Sequence, residues 1–169
     1  MEVIDEIRNW VSIKKYKDDK IELEILERIL DAGVRAPSAK NRQPWRFIAC
    51  TEDSVRSKIM SAAYGQDHVG SAPVIIAACT TNTEYKMPNG QLSYPIDISM
   101  AVSFMMIQAR AENLGTCIVT TYDEPEIKDI LSVPYSMRVV MLLLVGYPDE
   151  NPILTKRKLK SRVIAHEHW

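Results

Sequence analysis

Arg35-Ala36-Pro37-Ser38-Ala39-Lys40-Asn41-Arg42-Gln43-Pro44-Trp45-Arg46-Phe47 is the stretch on which the reading of this chain turns. Upstream of it, Ile25, Leu26, Ile29, Leu30 and Gly33 recur at the spacing of one helix face. Pro37 disfavours helical geometry in the residue before it, so that helix is expected to stop near Ala36. Downstream, residues 45–51 read as a strand. The segment between is a loop rich in hydroxyl, amide and cationic side chains.

Toward the N-terminus, Asp19 and Glu22 form a helix-start signal. A basic turn at 12–19 precedes it, and Val3, Ile4, Ile7, Trp10 and Val11 mark one side of a short amphipathic helix. Toward the C-terminus, a helix is expected at about 53–64, and the continuous apolar run at 72–80 reads as a buried strand. A turn at 87–90 leads to a long helix at 93–114 with Pro95 near its first turn. A strand at 116–122, a short helix at 125–131 and a strand at 138–145 complete the pattern. Strands alternate with helices, which predicts an α/β or mixed α+β chain whose sheet is covered on both faces. Without repeats or linkers, residues 1–169 read as one domain.

The long helix is apolar nearly all round. Met100, Phe104, Ile107, Ala111 and Leu114 form one stripe, and Ile98, Val102, Met105, Met106 and Ala109 fall largely outside it. Such a helix must be buried on most sides. Either the chain wraps it, or its second face packs on a partner subunit, which predicts an obligate homodimer.

Composition narrows the function classes. The chain has 169 residues, 46% hydrophobic and 25% charged, with a formal net charge of -1. That balance gives no reason to expect a nucleic-acid or membrane partner. No apolar run has the length of a spanning helix, and the N-terminus lacks a signal-peptide pattern, so the expected location is cytoplasmic. Cys50, Cys79 and Cys117 lie in or beside apolar runs and are expected to be packed thiols. His166 and His168 are too few for a metal site, and no metal is expected. Gly-x-Gly-x-x-Gly, phosphate-loop and Gly-x-Ser-x-Gly motifs are absent. What remains is a set of separated basic and polar segments at 12–14, 35–43 and 156–158. Together they supply the charged and hydroxyl donors that a bound phosphate needs.

Taken with Ser12-Ile13-Lys14-Lys15-Tyr16-Lys17-Asp18, Leu114-Gly115-Thr116-Cys117 and Val145-Gly146-Tyr147-Pro148, the opening stretch resembles the nitroreductase family, and most specifically through Ala36-Pro37-Ser38, Asn41 and Gln43-Pro44-Trp45. Asp97 with its helix and the segment from Arg157 to Trp169 also match. The resemblance implies an α+β fold, a central mixed sheet flanked by helices, built as an intertwined homodimer with FMN at the interface. It implies that Ser12 and Lys14 hold the FMN phosphate and ribityl chain, and that Arg157 and Lys158 close on the phosphate. Pro37, Ser38 and Ala39, from the partner subunit, would line the isoalloxazine, with Asn41 and Arg35 close by. Ile118, Val119, Thr120 and Thr121 would pass the flavin's reactive edge with their backbone. Gln66 would read its pyrimidine end, and Gln66 or a backbone amide would donate to the reduced ring.

The implied reaction is ping-pong hydride transfer from NADH or NADPH through the flavin to a small electron-poor acceptor, such as a nitroaromatic or a quinone. The short segment at 81–92 implies an open site. Two alternatives stand beside it: a different FMN reaction (dehalogenation, enone reduction or flavin cleavage), or a flavin-binding scaffold dimer with little turnover. The second is motivated by a departure, since the family opens its first motif with a basic pair where this chain has Trp10 and Val11. A hydrogen bond to a charged group is worth roughly 1.5–3 kcal/mol. Losing one cation therefore predicts FMN binding weaker by roughly 10- to 150-fold, unless Arg8 or Arg35 substitutes.

Overall fold

A computed structural model of the chain describes residues 2–169; Met1 lies outside them. Its centre is a four-stranded sheet of β1 (Trp45–Cys50), β2 (Val74–Thr80), β3 (Gly115–Val119) and β4 (Arg138–Gly146), in the order β1-β2-β4-β3. All three strand pairs run antiparallel, with a bulge at Val140 of β4 opposite Ala78 and Cys79. The parallel component of the expected mixed sheet, among the described residues, is a single bridge between Ser12, outside the strands, and Thr116 of β3.

Among the described residues, six α-helices surround the sheet: α1 (Asp5–Arg8), α2 (Leu23–Val34), α3 (Asp53–Ala62), α4 (Asp67–Ser71), α5 (Tyr94–Ala111) and α6 (Glu124–Leu131). The alternation of side chains along a strand sorts the core into two layers. Ile75, Ala77, Cys79, Leu142 and Leu144 pack with Ile59, Val69 and Ile127 of α3, α4 and α6. Ile76, Ala78, Leu143 and Val145 pack with Leu26, Ile29, Val102 and Met105 of α2 and α5. β2 and β4 are covered on both faces, which is why both read as unbroken apolar runs.

Three features differ from the sequence reading. α1 is a single turn, and Val3, Ile4 and Ile7 stay exposed. α2 starts at Leu23 with Glu22 in the N-cap position, and neither Asp19 nor Glu22 caps it with a side chain. α4 occupies what read as loop. The short segment at 81–92 folds back on itself: Lys86 bridges Leu92, and the Met87 amide donates to the Gln91 carbonyl at 2.8 Å.

α5 resolves into two faces. Ile98, Ala101, Val102, Met105 and Ala109 are fully buried in the chain's own core, whereas Met100 and Phe104 are each 40% exposed. Residues 153–169 run over the outside with every side chain exposed, Ile153 and Trp169 at about 90%.

Candidate functional site

The N-terminal segment is laid against the free edge of β3. The Ile13 amide donates to the Thr116 carbonyl at 3.0 Å, and the Lys17 amide to Tyr147 at 2.9 Å. The Tyr16 hydroxyl reaches back to the Ile13 carbonyl at 2.6 Å. This close seating needs Gly115, where an added Cβ would fall 2.8 Å from the Ile13 Cβ. The Glu150 carboxylate accepts from the Lys14 and Lys15 amides, which fixes the backbone and leaves the Lys14 side chain exposed. Lys14 forms no ion pair among the described residues. Its ammonium, after burial, holds His68 below the ordinary histidine range, against the opposing charge of Asp67. Burial pushes the Cys117 thiol up, while Lys14 and a hydrogen bond from Ser12 act the other way. Ser12, Lys14, His68 and the β3 edge are therefore neighbours.

Gln66 joins this group. Its amide nitrogen donates to the Ala63 carbonyl at 2.7 Å and to the Thr121 carbonyl at 2.9 Å, tying the start of α4 to the exit of β3. Both amide hydrogens are thereby used. Gln66 can only accept from a ligand, through Oε1, which corrects the expectation that it donates to a reduced ring. Ile118, Thr120 and Thr121 are exposed, while Val119 is buried and can meet a ligand with its backbone alone.

The opening stretch lies elsewhere. It leads into β1, at the opposite end of the sheet order from β3. Three strand spacings, about 14 Å, separate the two edges. Here the Ala39 amide donates to Asp97 Oδ1 at 2.8 Å, and the Gln43 amide to Ser38 Oγ at 2.9 Å. Lys40, Asn41 and Gln43 take left-handed conformations, with φ near 50°. Pro37 and Asn41 are exposed, and Ser38 and Ala39 half-buried. Arg35 closes α2 and is held by Asp31, Nε to Oδ2 at 2.7 Å. Arg8 is likewise held, by Glu2 and Asp5. Neither arginine is free to replace the cation missing at Trp10 and Val11. Trp10 instead donates through Nε1 to Thr116 Oγ1 at 3.3 Å.

Arg157 rests in a shallow cavity of about 290 Å³ with Glu6, Ile7, Trp10, Ser103 and Met106, between α1 and α5. Lys158 is exposed, and neither residue forms an ion pair or side-chain hydrogen bond among the described residues. Two site neighbours escaped the sequence reading. His68 sits on a helix too short to show a period. Arg110 lines a cleft of about 410 Å³ with Trp10 and Thr116, but a cation in a last helical turn is ordinary. The three cysteines are free and buried, and burial pushes Cys50 and Cys79 to about 11, so none is a ready thiolate.

The donor set at the β3 edge fits a ligand with a phosphate and a polar-edged ring. It offers an unpaired ammonium, the Ser12 hydroxyl, a lone amide acceptor and exposed strand backbone. The second set, at 37–41, stands at the far edge of the same chain.

A four-stranded antiparallel sheet sandwiched between helices defines an α+β scaffold. The sequence pattern of the nitroreductase family matches residues 7–66 and 60–147, and the chain belongs to that family. A "Putative NADH dehydrogenase/NAD(P)H nitroreductase" of Methanothermobacter thermautotrophicus is 31% identical over 156 residues, 90% of this chain and 80% of that protein. A nitroreductase family protein from Clostridium novyi NT is similar in structure, with a TM-score of 0.82 and 32% identity over 89% of this chain and 87% of that one. An FMN-dependent nitroreductase from Clostridium difficile R20291 shares the fold at a TM-score of 0.87, with 24% identity over 99% of this chain and all of that one.

Proposed function

We propose that this chain is an FMN-dependent NAD(P)H oxidoreductase, a single nitroreductase-like domain over residues 1–169 that works as a homodimer. The observation that carries the proposal is the grouping of an unpaired Lys14 with Ser12, Gln66 and the segment 118–121, of which Ile118, Thr120 and Thr121 are exposed, at the edge of β3. When bound there, FMN would supply hydride chemistry, taking a hydride from NADH or NADPH and passing it to an electron-poor acceptor such as a nitroaromatic or a quinone.

Ser12 and Lys14 would bind the phosphate end, with Arg157 and Lys158 closing on it. Gln66 would accept from the ring's pyrimidine N–H. The backbone from Ile118 to Thr121 would orient the ring. A backbone amide there, or the neighbouring Lys14 and His68, would stabilise negative charge on it, since the Gln66 donors are spent. Pro37, Ser38, Ala39 and Asn41 would cover the ring from the partner subunit, with Arg35 beyond them. The distance between the two sheet edges supports that division. So does the second face of α5, where Met100 and Phe104 stay exposed. We assign the reaction to the cytoplasm, where three free thiols would stay reduced.

The test is spectroscopic. Purified protein should bind FMN, show its yellow absorption, bleach with NADH or NADPH, and recover on adding a quinone or nitroaromatic. A yellow protein that neither donor bleaches would make it a flavin-binding scaffold. In sedimentation, a folded monomer at micromolar concentration would overturn the dimer.

A further inference from the structure

Lys40 and Arg42 are two cations brought onto one aromatic ring. The Arg42 guanidinium carbon lies 3.9 Å from the centroid of Tyr85, and the Lys40 ammonium 5.5 Å from it. Both side chains are exposed, and neither forms an ion pair among the described residues. Five other arginines, Arg8, Arg28, Arg35, Arg56 and Arg138, each hold a carboxylate, whereas Arg46, Arg110, Arg157 and Arg162 also form no ion pair among the described residues; Arg42 is set apart by sharing an aromatic ring with a second cation. The carboxylate next to Tyr85 in sequence, Glu84, is exposed and pairs with neither cation among the described residues.

The backbone that carries the ring is tied on both sides. The Tyr85 amide donates to Asn82 Oδ1 at 3.1 Å, and its carbonyl accepts from the Ser93 amide at 3.1 Å. Thr81 ties this segment to the opening stretch, donating through its amide and its hydroxyl to the Pro44 carbonyl. The loop that carries the cations is fixed as well, by Asp97 on Ala39 and Ser38 on Gln43. Two like charges are thus held beside one another without an ion-pair partner among the described residues, the Asp97 carboxylate being engaged on the Ala39 amide. A cation over an aromatic face gains only about 0.5–1 kcal/mol at an exposed site, which does not explain a second cation on the same ring. A phosphate does, because it answers both charges, and stacking on Tyr85 leaves the edge of the guanidinium free to donate to it.

We propose that Lys40 and Arg42, braced by Tyr85, bind a phosphate group on the adenosine half of the reduced pyridine dinucleotide. This rests on the proposed flavin site, because the cluster adjoins the 37–39 segment that would cover the isoalloxazine. A nicotinamide lying on that ring would send the rest of the dinucleotide outward, over the next residues of the same loop. The FMN phosphate is not the candidate, since its cations stand at the β3 edge. The segment at 81–92, short as it is, thereby determines the donor rather than covering the acceptor.

The test compares wild type with Lys40→Ala, Arg42→Ala and Arg42→Lys, each first loaded with FMN and checked for thermal stability and flavin spectrum. NADP+ and NAD+ are titrated by calorimetry, which reads binding without turnover. Flavin bleaching is then followed with NADPH, NADH and N-benzyl-1,4-dihydronicotinamide, a hydride donor with no phosphate. Removing either cation should weaken dinucleotide binding by about tenfold, the worth of one charged hydrogen bond. Arg42→Lys should lie between wild type and Arg42→Ala. Loss confined to NADP+ and NADPH identifies the 2′-phosphate; equal loss for both dinucleotides identifies the pyrophosphate. The phosphate-free donor should bleach all variants alike. Unchanged dinucleotide binding overturns the proposal, as does an equal loss with the phosphate-free donor, which would give the loop a role at the ring. A variant that loses FMN but keeps riboflavin would move both residues to the FMN phosphate. If wild type itself binds no FMN, the functional reading fails before this one is reached.

Discussion

The two halves of the candidate site are built by different means. At the β3 edge, main-chain pairing does the work: the segment around Ser12 and Lys14 is seated on Thr116, against a glycine, with Tyr16 and Glu150 fixing its backbone. At the β1 edge, side chains hold a loop through single contacts, Asp97 to Ala39 and Ser38 to Gln43, and three residues sit in left-handed conformations. The first half is an extension of the sheet, and its geometry is inherited from the core. The second is a separately braced loop, free to meet a surface other than its own chain's. The separation of about 14 Å between the edges is the reason for proposing a site shared between two copies.

The largest expected effect tests that sharing. Lys14→Glu reverses a charge in the first half, and Ala39→Glu puts a bulky anion into the second, beside Asp97. Each homodimer should purify without flavin. Co-expressed with different tags and isolated as a mixed dimer, the two chains should regain about half the wild-type flavin, because one site then carries both lesions and the other carries none. A colourless mixed dimer would mean that both halves of each site come from one chain.

Lys14→Ala should weaken FMN binding by at least tenfold, from the roughly 1.5–3 kcal/mol of a charged hydrogen bond. Arg157→Ala should do the same if the tail closes on the phosphate. Riboflavin has no phosphate, so its weaker binding should be almost unchanged in both variants. Fluorescence titrations with the two flavins check this; equal losses for both would assign the residues to the ring or to the fold. Arg35→Ala is the internal contrast, since Arg35 is held by Asp31 and belongs to the other edge.

Gly115→Ala sharpens the claim that the first half inherits its geometry. A methyl there must displace Ile13 or lift the segment bearing Ser12 and Lys14. Overpacking of this kind typically costs about 1–3 kcal/mol. Chemical unfolding should show that loss, and FMN affinity should fall with it although no ligand contact is changed. A destabilised variant with wild-type FMN affinity would show that seating and binding are independent.

The two halves were also unequally legible. The strands at β2 and β4 stood out because burial on both faces leaves an unbroken apolar run, and Pro37 marked the end of α2. The opposed faces of α5 could be separated by spacing, but which face belongs to the chain's own core depends on contacts with β2, β4 and α2. α4 has five residues, less than two turns, so no periodicity could reveal it, and with it His68 was missed. Val119 read as a site residue because its segment passes the site, yet strand alternation turns its side chain into the core. The spent donors of Gln66, the capture of Arg8 and Arg35 by carboxylates, and the meeting of Lys40 and Arg42 on Tyr85 all depend on side-chain placement that composition and spacing do not encode.

The smallest effect concerns His68, which reports on the charge of the first half. Burial and then the Lys14 ammonium lower its pKa from the ordinary 6.5, with Asp67 opposing. The unfolded chain therefore binds the proton more readily than the folded one. Between the lowered value and 6.5 the unfolded state carries more protons, so stability rises with pH across that window and is lost as pH falls through it. The imidazole is partly exposed, so the loss should be small. A histidine titration followed by NMR on the FMN-free protein should place His68 below 6.5. Lys14→Met should raise it while leaving the burial contribution in place, and His68→Gln should remove its share of the acid-side loss seen in urea unfolding between pH 7.5 and 5.5. Adding FMN should raise the His68 pKa as well, because the phosphate sets a negative charge against the same ammonium. A His68 that titrates at or above 6.5, or is indifferent to Lys14→Met, would mean that Lys14 does not face α4, and the phosphate end of the site would have to be sought along the Trp10 and Arg110 cleft instead.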